Sequence, residues 1–250
     1  MAPITKPSLS ITHVTTATAI LDIDGVTFLT GPFFGVLDGT EYDLTQTWEN
    51  ADLKTHEDHI DNLDPEGRRL LDGRRVFTTM DGASNLRPRR GIVGLRPWEA
   101  VTATIGGKVF RITGTPCKHF PGGEVSGFIL ETDSFGIHES GKPNVIYFSG
   151  DTVYIDELRE IGNRWHVTAA LLNLGNATFD FPVGQMQVRM DGKQAVRLIR
   201  EIGADIIIPI HFESWAHFTE DREGLMKVFE TEGIMDKVCW TTPGVSKTVY

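Results

Sequence analysis

The chain has 250 residues, 40% of them hydrophobic, and a formal net charge of −10. A chain of that size and content buries a sizeable core, and its acidic balance argues against nucleic-acid backbones, which want clustered Lys and Arg. Two cysteines, Cys117 and Cys239, give no disulfide framework and fit a reducing compartment.

Length alone allows one large domain or two small ones, and no low-complexity linker divides the sequence. Strand-type runs come first. The run 9–23 is rich in Thr, Ile and Val, and 26–30 follows the turn signal Asp24-Gly25, so a hairpin is expected. Segments 76–79, 101–105 and 109–113 read as further strands, the last two joined at Gly106-Gly107. The segments 127–132, 145–149, 169–174 and 206–210 are apolar enough for central strands, and 238–242 closes the set.

Helical patterns lie between them. In 191–202, Asp191 caps, Gln194 takes the capping-box position, Ala195, Leu198, Ile199 and Ile202 form a stripe, and Gly203 stops the helix. Shorter candidates are 65–71, 155–161 ended by Gly162, and 220–232 with Thr219 as cap and Gly233 as stop. Strands dominate the first half and strand–helix alternation the second, which makes packed sheets with helices outside the expected architecture.

The densest chemistry is in residues 56–61, where His56, Glu57, Asp58, His59 and Asp61 crowd together between a strand end and a helix entry. His and carboxylate suit zinc, manganese or iron; a solvated acidic turn is the plainer alternative. Three more ligand-type residues stand at or just past strand ends: His119, Asp151 in Gly150-Asp151-Thr152, and His211 after 206–210. In layered α/β folds that edge is where sites assemble. His217 follows His211 by six residues, beside Trp215 and Phe218. A single histidine after a strand is more often structural, and so the argument rests on the set. His13, His138 and His166 have no such setting.

The order strand, His/Asp loop, His, Gly-Asp-Thr, His resembles the metallo-β-lactamase superfamily of metal-dependent hydrolases. Within it the chain looks most like the ascorbate-6-phosphate lactonase-like branch. Matching pieces run from 11–18, the opening strand, through Leu29-Thr30-Gly31-Pro32, 56–64, Pro116 to His119 and Gly150-Asp151-Thr152 to Pro209-Ile210-His211. The resemblance implies an α/β fold, a four-layer αβ/βα sandwich over residues 1–250, with a metal site along one edge. It also implies metal ligands drawn from His56, His59, Asp61, His119, Asp151 and His211.

The loop departs from the family's His-x-His-x-Asp-His. Aligned on its helix side, His59 is the second histidine, Asp61 the aspartate, Asn62 replaces the third histidine, and Glu57 stands where the first should be. Aligned on its strand side, His56 is the first histidine and one residue is inserted. Gly31 and Thr16 replace a frequent Asp and His, changes that touch support of the loop more than ligation. An amide is a weaker donor than imidazole, which weakens the second metal position. One or two divalent ions, zinc first, are expected: His59, His119 and Asp151 in one site, completed by His56 or Glu57, and Asp61, Asp151 and His211 in the other.

The implied chemistry is hydrolysis of an ester-like bond, most plausibly a lactone, in a small-molecule substrate. Asp61 would orient the water or act as general base, and His217 would donate to the oxyanion or leaving group. A phosphodiesterase, a non-haem iron redox enzyme and a non-catalytic binding protein are the rivals. No Gly-x-Ser-x-Gly, Walker or Rossmann pattern occurs. Cys117 reads as a small buried residue. No signal peptide or bilayer-spanning run is present, so a cytoplasmic protein without nucleic-acid or membrane partners is expected.

Overall fold

The run 9–23 folds back on itself. In the computed structural model, which describes residues 7–34, 62–121, 123–181 and 184–250, it forms β1 (Leu9–Thr15) and β2 (Thr18–Ile23), paired antiparallel. The reversal sits at Thr16, whose φ is 40°. A β-branched residue is disfavoured in that region, so nothing in the sequence announces the turn. The Asp24-Gly25 hairpin forms as expected: φ values of 52° and 81° carry β2 into β3 (Val26–Thr30).

Two short helices and two short strands follow: α1 (Pro65–Leu70), β4 (Val76–Thr78), α2 (Met80–Asn85) and β5 (Ile92–Gly94). Asp64 caps α1, accepting from the Gly67 N–H at 2.6 Å and from the Phe34 N–H at 2.8 Å. Thr79 caps α2, which is too short for periodicity to reveal.

The larger sheet takes its first five strands from β6 (Ala100–Ile105), β7 (Lys108–Thr115), β8 (Gly127–Thr132), β9 (Asn144–Phe148) and β10 (His166–Asn173), and a sixth comes later in the chain. Before β10 a 3-10 turn, Asp156–Arg159, runs into α3 (Glu160–Arg164). Gly162 therefore lies inside the helix and does not end it. A Cβ there would sit 2.7 Å from the Glu201 carbonyl oxygen, so its small size serves helix packing. A hairpin of β11 (Thr178–Phe181) and β12 (Gly184–Gln187) leads to α4 (Gly192–Ile202), β13 (Ile206–Ile210), α5 (Arg222–Thr231) and β14 (Ser246–Thr248).

Helix α4 matches its sequence signals: the Asp191 carboxylate accepts from the Gln194 N–H at 2.7 Å, and Gly203 leaves the helix at φ 68°. Helix α5 is capped by Asp221 and not by Thr219, whose N–H and hydroxyl bond the carbonyls of Gly175 and Asn176. Segment 238–242 makes one bridge, Val238 to Ile207, where a strand was expected; its apolar side chains reflect packing, with Trp240 against Phe212 and Phe229.

The small sheet has the order β14-β1-β2-β3 and the large one β13-β10-β9-β8-β7-β6. Between them Leu9, Ile11, Leu21 and Ile23 meet Ile112, Leu130, Ile146, Leu171 and Ile208. On the other face of the large sheet, Val145, Tyr147, Val167 and Leu172 meet Leu198 and Ile199 of α4 and Leu225 and Phe229 of α5. Each such side chain contributes roughly 1.5–3 kcal/mol by leaving water. Burial on both faces explains why β9, β10 and β13 read as continuous apolar runs. Pro209 is tolerated because β13 is the outer strand of its sheet. Among the described residues no helix is long and apolar enough to cross a membrane.

Strand direction places the site. β9, β10 and β13 are mutually parallel, and β7 runs the same way, two antiparallel steps from β9. Four strands therefore end at one edge of the sheet, at Thr115, Phe148, Asn173 and Ile210.

Candidate active site

Asp151 stands at that edge with no exposed surface. The turn before it needs Gly150, whose φ is 60° and where a Cβ would meet the Ser126 carbonyl oxygen at 2.6 Å. Its carboxylate is surrounded by nitrogen. Oδ1 accepts from Asn173 Nδ2 at 2.7 Å. Oδ2 accepts from Asn62 Nδ2 at 3.1 Å and, in a close ion pair, from Arg189 Nη2. His119 Nε2 and His211 Nε2 lie 3.9 and 3.7 Å from the same Oδ2. His119, Asp151 and His211, remote in sequence, thus face one another.

Thr152 knots the loops together. Its hydroxyl accepts from the Lys118 N–H at 2.9 Å, and its carbonyl accepts from the Met190 N–H at 3.0 Å. The Val153 N–H donates to the Lys118 carbonyl at 2.9 Å. The segments bearing His119, Asp151 and Arg189 are thereby held in register.

The protonation of His119 follows from its neighbour. Its Nδ1 is 2.6 Å from the Val188 carbonyl oxygen, which only accepts, so Nδ1 carries the proton. In the neutral ring Nε2 then points a lone pair toward the Asp151 carboxylate. Two acceptors face each other across a gap longer than a hydrogen bond and within the roughly 4.2 Å that two metal–ligand bonds of about 2.1 Å can span. The orientation fits a cation, and the carbonyl behind the ring fixes the tautomer as such partners do in metal sites. Among the described residues, no group of three or more His, Cys, Asp or Glu side chains completes a metal site. The further donors expected from sequence, His56, Glu57, His59 and Asp61, lie outside the described residues.

Asn62 is in the centre itself and is buried. Gly31 packs against it, since a Cβ at 31 would stand 3.3 Å from Asn62 Oδ1. Thr16 is fully buried, and its carbonyl accepts from His13 Nε2 at 2.9 Å. His217 belongs to an arc of rings that links the two site histidines. Phe120 abuts His119 at 4.6 Å, Phe179 abuts Phe120 at 5.0 Å and His217 at 5.3 Å, and Phe218 abuts His217 at 4.6 Å and His211 at 5.3 Å. Cys117 points its Sγ at the Ser149 carbonyl oxygen, 3.3 Å away, and burial pushes its thiol up to about 12. The residue is half-buried, where the sequence suggested a buried one, and its raised pKa makes the sulfur a poor nucleophile.

Two residues of the centre were not singled out in the sequence. Asn173 ends an otherwise apolar strand, and Arg189 stands between Val188 and Met190, both fully buried. Asn173 had a signal, a polar residue near the end of an apolar run, and Arg189, in a stretch that also holds polar residues, had none.

Residues 53–212 match the beta-lactamase superfamily domain. A metal-dependent hydrolase of Methanosphaerula palustris is 27% identical over 108 residues, 43% of this chain and 41% of that one, so this match spans under half of the relative. A metal-dependent hydrolase of an Exiguobacterium species is 23% identical over 91% of this chain and 96% of its own. The solved structure of an isothiocyanate hydrolase from Delia radicum gut bacteria shares the fold, with a TM-score of 0.71 at 18% identity over 95% of this chain and 98% of that one. With two stacked sheets, a Gly-Asp-Thr turn at their edge and a domain match over most of its length, the chain belongs to the beta-lactamase superfamily.

Proposed function

We propose that this protein is a metal-dependent hydrolase acting on an ester-like bond of a small molecule, a lactone first. The observation that carries the reading is the meeting of His119, Asp151 and His211 at one buried carboxylate oxygen from three separate strand ends. His59, with His56 or Glu57, is proposed to complete the donors, with zinc as the first candidate and manganese and iron after it. A divalent ion, if held by these residues, would supply an acidified water and a Lewis acid toward the scissile carbonyl.

The chain's own residues supply the rest. Asp61 is assigned the orientation of the attacking water and acceptance of its proton. His217 is assigned donation to the leaving oxygen, and the rings of Phe179, Trp215 and Phe218 beside it offer an apolar wall to the substrate. Asn173 and Arg189 hold the Asp151 carboxylate in place.

The test is a panel of lactones, phosphodiesters and an isothiocyanate, run on protein of measured metal content beside Asp61→Asn. Lactone turnover that rises with metal loading and collapses in the variant supports the reading. Equal inertness of both proteins, with a ligand still bound, replaces it with a binding function. Oxygen consumption by the iron-loaded protein replaces it with redox chemistry.

A further inference from the structure

We infer that the Arg189 guanidinium takes the place of a second metal ion, so that the centre pairs one divalent ion with one permanent side-chain cation. The inference rests on the metal-dependent reading above and concerns the number of ions, not the reaction.

Arg189 is an unusual group to find so deep. Its side chain is 2% exposed, its neighbours Val188 and Met190 are fully buried, and its Nη2 is ion-paired with Asp151 Oδ2. The face of Phe218 backs the guanidinium carbon at 5.0 Å. Guanidinium keeps its proton at any pH a protein tolerates, so this charge is fixed.

Asn62 acts in the same direction. It offers Nδ2 to the same Oδ2 at 3.1 Å. Turning the amide over would oppose two acceptor oxygens, so the bonding fixes its orientation. A metal ion needs lone pairs, and Asn62 and Arg189 both present hydrogens to this oxygen. His119 differs, with its lone pair turned toward the carboxylate because Nδ1 is committed to Val188. Asp151 Oδ2 thus faces the His119 lone pair and, at the same time, the N–H groups of Arg189 and Asn62, while Oδ1 accepts from Asn173. Beyond the one ion that His119 and this oxygen could share, a second divalent ion here would meet the fixed guanidinium charge and those N–H groups. A carboxylate that would otherwise bridge two ions is balanced by one ion and Arg189.

The experiment is stoichiometry. Chelated wild type is dialysed against excess zinc and then buffer, and retained metal is measured by plasma mass spectrometry. One equivalent is expected. The double variant Asn62→His, Arg189→Met, which supplies a lone-pair donor and removes the fixed charge, should gain a second equivalent, and circular dichroism checks its fold. Spin resonance of manganese-loaded wild type gives a readout that needs no variant: an isolated-ion signal is expected, and an exchange-coupled pair overturns the inference. Two equivalents of zinc on wild type overturn the inference and leave the metal-dependent reading standing. Zero equivalents remove that reading, and the inference with it. A folded double variant that still holds one equivalent overturns the role given to Arg189 and Asn62.

Discussion

Adding one methyl group at Gly127 should damage both the sheet and the centre. Gly127 opens β8 and pairs with Thr115 of β7. A Cβ there would lie 2.5 Å from the Ser149 carbonyl oxygen, 2.5 Å from Thr115 Oγ1 and 2.7 Å from the Phe148 carbonyl oxygen. Ordinary contact begins at 3.4 Å, so the Ser149 and Thr115 oxygens must each give way by about 0.9 Å. Neither is the free end of a long side chain: one is backbone, the other a short branched hydroxyl. Overpacking of this kind costs about 1–3 kcal/mol. For a chain of this length each kcal/mol lowers Tm by about 2–4 °C, so Gly127→Ala should melt about 2–12 °C below wild type. Ser149 leads directly into Gly150 and Asp151, and the 2.7 Å bond from Asn173 to Asp151 has no slack for a comparable shift. Turnover should therefore fall even at temperatures where the variant is fully folded. Calorimetry and a rate measurement well below both transitions check the two effects. A Tm within about 1 °C of wild type together with unchanged turnover would refute the steric argument.

Three other outcomes are expected. Asp151→Asn keeps the shape of the side chain but leaves Arg189 charged and buried; urea denaturation should show a loss of about 3–5 kcal/mol, and a loss under about 1 kcal/mol would contradict the ion pair's role. Burial holds His13 below its ordinary value of 6.5, with Glu213 and Arg222 as the nearby charges. The unfolded chain therefore takes up that proton first as pH falls, so stability should drop below about pH 6.5, and His13→Gln should flatten that part of the profile; identical slopes in the two proteins would dismiss the burial argument. The Cys117 thiol, pushed up to about 12, should stay unmodified by a disulfide reagent at neutral pH while the protein is folded and react once it is unfolded.

The central strands were legible because both of their faces are buried, which leaves near-continuous apolar runs in 145–148, 169–172 and 206–210. The β2–β3 hairpin was legible because Asp24-Gly25 can adopt positive φ cheaply. The turn at Thr16 was not, since its residues have no turn preference and tertiary contacts force it. Helix α2 has six residues, too few for a stripe. In the centre, His119, Asp151 and His211 were readable because strand tips mark them. Arg189 was not, because its partner is 38 residues away and nothing local separates a buried arginine from a solvated one. Asn62 was noticed as a departure, and only the folded chain shows that its amide faces the carboxylate.

Strands β9, β10 and β13 divide their labour along their own length. The interior residues of each carry the folding, and the residue at or just beyond the tip faces the candidate site: Asp151, Asn173 and His211. Substitution at a tip alters charge and donor type without re-solving the packing problem beneath it. A scaffold divided in this way can be retargeted one tip at a time.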